Sequence, residues 1–148
     1  MVNKMYEIKK ANENDFSQIK SFLFEVPAID NVDDDVLKNA SVLYFEDKIY
    51  GVISFELFFN YALIRYFVFK RNVDEMVVRE LFEAVEENVN KKEIDYIFSL
   101  VNQGDVYDLF SSLDFKEISK DDIFIEEQNF ENSKFKDTKL MIKKIKSE

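Results

Sequence analysis

The sequence contains neither cysteine nor histidine among its 148 residues. Without cysteine the chain can form no disulfide, no thiolate nucleophile and no cysteine-ligated zinc or iron site. Without histidine it can build neither a Ser-His-Asp nor a Cys-His catalytic site, nor a metal site of two histidines and one carboxylate. These absences exclude several large classes of enzyme.

Basic residues and long apolar runs are also scarce. Twenty Lys and Arg stand against thirty Asp and Glu, so the formal net charge is −10 and we expect no nucleic-acid partner. No apolar run approaches the about 20 residues needed to cross a bilayer. The N-terminal stretch MVNKMYEIKK also lacks the hydrophobic core of a signal peptide. We therefore expect a cytoplasmic protein that does not bind membranes.

Apolar residues are plentiful, at 47% of the chain, and sixteen of the residues are Phe. This composition is sufficient for a packed interior and argues against disorder. The length suits one compact domain and is too short for two ordinary ones. Because no linker, internal repeat or low-complexity tract divides the chain, we expect a single domain over residues 1–148.

The first half of the chain predicts a strand, two helices and three further strands, from alternating apolar residues, apolar residues at helical spacing and a polar turn. Three aspartates at 33–35 fall in the first turn of the second helix, where they favour the helix dipole. The predicted elements are residues 6–11, Asn14 or Asp15 to Pro27, Asp33 to Asn39, the hairpin SVLYFEDKIYGVISFELF with its turn at 46–48, and 60–70.

The second half predicts a helix that covers a sheet, with Val77, Val78, Leu81, Phe82, Val85 and Val89 on its apolar face. IDYIFSLV, residues 94–101, is almost continuously apolar, as expected of a central strand buried on both faces. A short helix at 105–113 and strand-like FKEI, DIFIEE and KLMIKKI follow. This order predicts an α/β domain: a mixed, mostly antiparallel sheet of about six or seven strands, about four helices and one β-α-β crossover.

The junction at residues 70–76 is a candidate anion site, because a helix N-terminus offers free N–H groups and a positive dipole end. It contains no glycine and carries Asp74 and Glu75 where an anion would lie. One interpretation is a modified phosphate site; the other is an ordinary helix start capped by Asn72 or Asp74. The basic residues that could supply charge to a phosphate are Lys70, Arg71 and Arg79.

Two phrases resemble signatures of one enzyme family. VYDLFSSLDFKE, residues 106–117, is similar to A-x-x-L-Y-x-x-x-G-F, and LFEAVEE, residues 81–87, is similar to L-L-x-A-x-E. Both are signatures of the GNAT superfamily of N-acetyltransferases, which the chain also resembles in element order. The resemblance implies that acetyl-CoA lies in a V-shaped opening between two splayed parallel strands, its pantetheine arm paired with strand backbone. Those strands would be 62–69 and 94–101, with cofactor contacts near Phe67, Phe69 and Asn102.

The chain departs from that family in its phosphate loop and at the position of the catalytic general acid. Alignment places Val73, Met76 and Val78 at the Gln/Arg and two glycine positions of the loop Q/R-x-x-G-x-G/A. Glycines are needed there because a Cβ would hold backbone N–H groups away from the phosphates. We therefore predict a degenerate pyrophosphate loop. At the position of the general acid, Phe110 replaces the tyrosine that protonates the departing thiolate in many members. Asp114 replaces the usual glycine, and Arg65 lies near the place of a glutamate base.

Two residues are candidates for proton transfer. Glu56 is the carboxylate inside the apolar run SFELFF, where burial would raise its pKa toward the range of a general base; alternatively it faces solvent. Tyr107 could serve as an acid, or be a partly buried amphipathic side chain. The acidic clusters 33–35 and 121–122 lack the spacing of a calcium loop, so we expect no metal.

The resemblance implies an acyl-CoA-dependent N-acetyltransferase, with acetyl-CoA as cofactor and a small-molecule or protein amine as acceptor. The alternative is a non-catalytic GNAT-fold protein that binds a ligand or a protein through its cleft or an exposed Phe surface. The Phe-rich stretch FELFFNY could form core, a ligand pocket or a homodimer contact. A different α/β domain is the third interpretation.

Overall fold

A computed structural model describes residues 6–27, 29, 31–58, 61–101, 104–118, 124–125, 128–129 and 139–145. The helices are α1 (Phe16–Leu23), α2 (Asp34–Leu37), α3 (Glu75–Asn90) and α4 (Gly104–Ser112). The strands are β1 (Tyr6–Lys10), β2 (Ser41–Phe45), β3 (Lys48–Leu57), β4 (Tyr61–Phe69), β5 (Tyr96–Val101), β6 (Lys116–Ile118), β7 (Phe124–Ile125), β8 (Gln128–Asn129) and β9 (Lys139–Lys144).

Seven of these strands form one sheet in the order β1-β2-β3-β4-β5-β9-β6. Its pairs are antiparallel except β4 and β5, which are parallel and joined through α3. The predicted α/β architecture, with a mostly antiparallel sheet of six or seven strands and four helices, is confirmed. Of the predicted strand DIFIEE, Phe124–Ile125 is β7, which pairs with β8 outside the main sheet.

Helices cover both faces of the sheet. The apolar face of α3 packs with α4 on one side, around Leu81, Phe82 and Phe110. On the other side Ile19 and Leu23 of α1 pack with residues of α2, β2 and β3. Apolar side chains recur at helical spacing in α1 and α3 because only one stripe of each helix meets the sheet. No helix in the described part of the chain is long and apolar enough to span a bilayer.

Helix α1 ends at Leu23, three residues before the predicted boundary near Val26. The N–H groups of Glu25 and Val26 bond three residues back, to Phe22 (3.2 Å) and Leu23 (3.0 Å), so the chain tightens into turns. Pro27 disfavours helical geometry at Val26, so the helix does not resume after these turns. The resulting segment between α1 and α2 runs past the sheet toward β4, where Tyr66 contacts it.

Strand β4 contains a bulge. Ile53 pairs with Phe67 and Phe55 pairs with Ile64, so Ser54 of β3 faces two residues of β4, Arg65 and Tyr66. An extra residue of this kind bends the strand and leaves backbone groups outside the ladder. The bulge therefore turns the second half of β4 away from its earlier course.

Strands β4 and β5 pair over only part of their length. Their register covers Tyr61–Leu63 of β4 with Tyr96–Phe98 of β5. Beyond that, β4 continues to Phe69 and β5 to Val101 without further pairing between them. The two strands thus form the arms of a V, whose apex lies near Leu63 and Phe98, beside the bulge.

Candidate functional site

A cleft with a volume of about 510 Å³ lies between the unpaired parts of β4 and β5. Arg65 is the charged residue among the described residues that line it, and most of its wall is apolar. The cleft reaches both layers of the fold, since the α1–α2 segment contributes to one side and α4 to the other. Its lining residues are Val26, Ile29, Ile64, Arg65, Tyr66, Phe67, Val68, Phe69, Ser99, Leu100, Leu109 and Phe110.

Arg65 and Tyr66, the two bulge residues, are both held in place. The Arg65 guanidinium forms an ion pair with Glu56 on β3 and lies 6.0 Å from the centroid of the Tyr66 ring. The Tyr66 hydroxyl accepts a hydrogen bond of 3.1 Å from the backbone N–H of Asp33, the N-cap residue of α2. The cleft wall is therefore tied to the α1–α2 segment.

Glu56 is neither isolated in an apolar core nor fully solvated. Its side chain is 32% exposed and paired with Arg65. Burial raises the pKa of nearby Tyr61 to about 12, and the negative charge of Glu56 adds to that rise. Glu56 thus lies one side chain away from the cleft, behind Arg65, and its role as a base stays a prediction.

Helix α4 presents hydrocarbon to the cleft. Phe110 is 2% exposed, and its ring centroid lies 4.9 Å from that of Phe67 and 5.0 Å from that of Phe115. Tyr107, the other candidate on this helix, packs half-buried against the main core and is not among the cleft-lining residues. Among the described residues of α4, none brings a hydroxyl into the cleft.

A second cavity, of about 350 Å³, lies beside the N-terminus of α3, at the position expected for the phosphate loop. Two of its described lining residues, Glu75 and Asp108, are acidic, and none is basic. The other lining residues are Phe69, Val73, Val78, Leu109 and Ser112. An anion placed here would face negative charge from both α3 and α4.

Asp74 caps helix α3. Its Oδ1 accepts a 2.8 Å hydrogen bond from the N–H of Met76, and its carbonyl accepts bonds of 2.9 and 3.0 Å from Val77 and Val78. These N–H groups belong to the first turn, which is where a helix holds a phosphate. Of the two cap candidates in the sequence, Asp74 is the N-cap of α3, and the absence of a phosphate site at residues 70–76 stays a prediction.

The basic residues near this junction do not converge on it. The Lys70 ammonium lies 4.7 Å from the centroid of the Tyr50 ring, on the β3 side. Arg71 and Arg79 are exposed and, like Lys70, line neither cavity. No described contact supports the idea that these residues supply positive charge to a bound phosphate, which stays a prediction.

The residues predicted to contact a cofactor through their backbone, unlike the basic residues near the junction, lie in the cleft. Phe67 and Phe69 both line the cleft, on the arm of the V formed by β4. Contact between their main chain and a cofactor stays a prediction. Asn102 lies outside the described residues. The described residues contain no group of three or more acidic side chains that could hold a metal ion.

Sequence reasoning missed two residues of this region. Ser99 lines the cleft from β5, and Asp108 lines the second cavity from α4. The apolar run IDYIFSLV indicates a buried strand but not which of its residues lies at the apex of a splayed pair. Asp108 lies more than thirty residues from the α3 N-terminus in sequence, so only the fold reveals their proximity.

Solved N-acetyltransferase structures share this fold. N-acetylglutamate synthase from Neisseria gonorrhoeae, complexed with coenzyme A and N-acetyl-glutamate, matches 98% of the chain with a TM-score of 0.79 and 14% identity; the chain spans 36% of that protein. A probable acetyltransferase from Staphylococcus epidermidis matches 96% of the chain and 100% of its own length (TM-score 0.72, 18% identity). A GNAT-family acetyltransferase from Staphylococcus aureus matches 95% and 99% (TM-score 0.69, 16% identity).

The sequence itself matches no family model. It also matches no curated protein. At these identities the likeness is one of fold.

Proposed function

We propose that this chain, which has the fold of the GNAT-family N-acetyltransferases, binds an acyl thioester in the cleft between β4 and β5 and transfers the acyl group to an amine. The cleft is the observation that supports this proposal. Where β4 and β5 cease to pair, their facing edges leave N–H and C=O groups that can bond the amides of a pantetheine arm. The apolar walls suit the rest of such a linear chain.

The shape of the V sets the direction of the ligand. Its open end lies toward Phe69, next to the N-terminus of α3, and its apex lies near Leu63 and Phe98. An arm that enters between the strands therefore carries its thioester to the apex, beside the bulge. The far end of the ligand, where CoA carries its phosphates, is left near Glu75 and Asp108.

The reaction needs a polarised carbonyl and a deprotonated amine. N–H groups of the bulge residues Arg65 and Tyr66, which lie outside the β3–β4 register, are proposed to polarise the thioester carbonyl. Glu56, held behind Arg65, is the proposed base for the amine. The acceptor is proposed to be a small-molecule or protein amine.

The phosphates of CoA are proposed to contribute little to binding. The first-turn N–H groups of α3 already bond Asp74, and the adjacent cavity is acidic. The donor is then held mainly by its acyl-pantetheine part. This weakening is compatible with catalysis, because transfer takes place at the other end of the ligand.

Calorimetric titration with two donors tests the proposal. Acetyl-CoA and acetyl-pantetheine share the acyl arm and differ in the phosphorylated nucleotide. We expect both to bind, with dissociation constants within about tenfold of each other, a difference below about 1.4 kcal/mol. Failure of both to bind at millimolar concentration would refute the proposal. A strong preference for acetyl-CoA would show that a phosphate site exists.

A non-catalytic binding protein is the second candidate, favoured by the absence of a tyrosine at Phe110 and by the capped α3 N-terminus. Thiol release from acetyl-pantetheine in the presence of a panel of amines separates the two. The enzyme predicts amine-dependent release that exceeds the rate without protein. Tight binding with no release for any amine class would favour the binding protein.

A further inference from the structure

Ser99 occupies a distinctive position in the cleft. It follows Phe98, the last β5 residue paired with β4, and therefore lies at the apex of the V. Its side chain is 2% exposed, and it lines the cleft together with Leu100 and Phe110. Its backbone is fixed on the other side by pairing with Met141 of β9. The residue is thus rigidly placed where the thioester of a bound arm would lie.

Two side chains with hydroxyl groups line the cleft within the described part of the chain, Tyr66 and Ser99. The Tyr66 hydroxyl accepts the N–H of Asp33 at 3.1 Å and donates its own proton to the carbonyl of Asn31 at 3.5 Å. No hydrogen bond between Ser99 and another described residue engages the serine hydroxyl. Since Phe110 presents only a ring, Ser99 is the hydroxyl that remains available to a ligand at the apex.

We propose that the Ser99 hydroxyl donates a hydrogen bond to the sulfur of the departing thiolate. The inference rests on the proposed function and deepens it. Amine attack forms the C–N bond and leaves a positively charged nitrogen; collapse then breaks the C–S bond, with its electron pair passing to sulfur. Ser99 gives its proton to the sulfur and regains one from the nitrogen, so the products are an amide and a thiol and the serine is unchanged.

A relay of this kind suits a serine, whose hydroxyl both donates and accepts but is too weak an acid to lose its proton outright. It also explains how a thiolate could leave from a site walled by Phe67, Phe110 and Leu100, where an unsolvated charge would be costly. Ser99 is then a catalytic residue, because it touches the reacting sulfur.

Leaving-group dependence distinguishes this role from packing. With acetyl-pantetheine, whose alkyl thiolate is strongly basic, S99A should lower kcat by about 100-fold, the lower end of proton-transfer effects. With an acetyl aryl thioester, whose thiolate leaves without protonation, the same variant should lose less than about threefold. Equal losses with both donors would overturn the inference.

Ser54 supplies the matched control. It is also buried, its hydroxyl has no partner in the described structure, and it faces the bulge from β3 without lining the cleft. S54A should change the rates with the two donors by the same factor. A selective loss with the alkyl donor in S54A would assign the effect to the bulge and overturn the role of Ser99.

If the protein shows no turnover, a binding measurement tests whether Ser99 donates a hydrogen bond to the thiolate. A hydrogen bond to the thiolate lowers the pKa of bound pantetheine thiol, which is read from thiolate absorbance against pH. S99A should raise that pKa by about one unit relative to the unaltered chain, and S54A should leave it unchanged. If pantetheine binds and S99A has no effect, the Ser99 inference fails alone. If no arm binds at all, it fails together with the proposed function.

Discussion

At the scale of single residues, Tyr61 shows how burial and charge act on one group. Its ring stacks between Phe58 and Phe98, with centroid distances of 5.1 and 4.3 Å, and Glu56 lies near its hydroxyl. These surroundings raise its pKa from the usual 10.0 to about 12 because they penalise the phenolate. The neutral tyrosine therefore contributes stability that depends on pH.

The sign of that dependence follows from linkage. Between pH 10 and 12 the unfolded chain has lost the Tyr61 proton while the folded protein retains it. The contribution is thus complete below pH 10 and is lost as pH rises toward 12. We expect the free energy of unfolding, measured with urea, to fall less steeply over this range in Y61F than in the unaltered chain. Identical slopes would contradict the assignment.

Single residues also mark the limit of what the sequence predicts about the site. Phe67, Phe69 and Phe110, to which the family resemblance directs attention, all line the cleft, and contact between them and a cofactor stays a prediction. The Glu56–Arg65 ion pair was not predicted, since it depends on an extra residue in β4 that shifts the cross-strand register. Alternation within a strand predicts which face of the sheet a residue occupies. It does not show whether the neighbouring strand contains an extra residue.

At the scale of elements, the junction between β4 and α3 is a stable helix start. Asp74 accepts the N–H of Met76, and an aspartate in this role contributes about 1 kcal/mol. D74A should therefore lower the free energy of unfolding by about 1 kcal/mol. N72A, which changes the other cap candidate in the sequence, should alter it by less than about 0.5 kcal/mol. Equal losses would show that the cap is shared.

Most elements could be predicted because their signals are local. The turn of the first hairpin, with Glu46 and Asp47 at φ values of 48° and 68°, lies where the polar run EDK predicted it. The place of β9 between β5 and β6 could not be predicted, because strand order depends on pairing between segments that are distant in sequence. The splay of β4 and β5 follows from that long-range arrangement as well.

At the scale of the whole molecule, the net charge of −10 acts in the same direction as the acidic cavity. A phosphorylated ligand should be repelled at low salt, and added salt should screen that repulsion. We expect the affinity for acetyl-CoA to rise by about twofold to fivefold between about 50 and 500 mM salt, and that for acetyl-pantetheine to stay constant. A falling affinity for acetyl-CoA would indicate a basic phosphate site instead.

A pair of charge reversals separates local from global repulsion. E75K changes a residue that lines the cavity, whereas E83K makes the same change at an exposed position of α3 outside it. Both variants alter net charge equally. We expect E75K alone to strengthen binding of acetyl-CoA at low salt, with acetyl-pantetheine unaffected by either. Equal strengthening by both would attribute the repulsion to net charge rather than to the cavity.

The position of β9 has a consequence for synthesis. β9 pairs with β5 through Ser99–Met141 and with β6 through Glu117–Met141, yet it leaves the ribosome after every other strand of the sheet. Until it emerges, β5 presents an unpaired and strongly apolar edge, the kind of edge that recruits other chains. The arm of the V that carries Ser99 is therefore completed last, and the nascent chain is most exposed to aggregation just before the cleft can form.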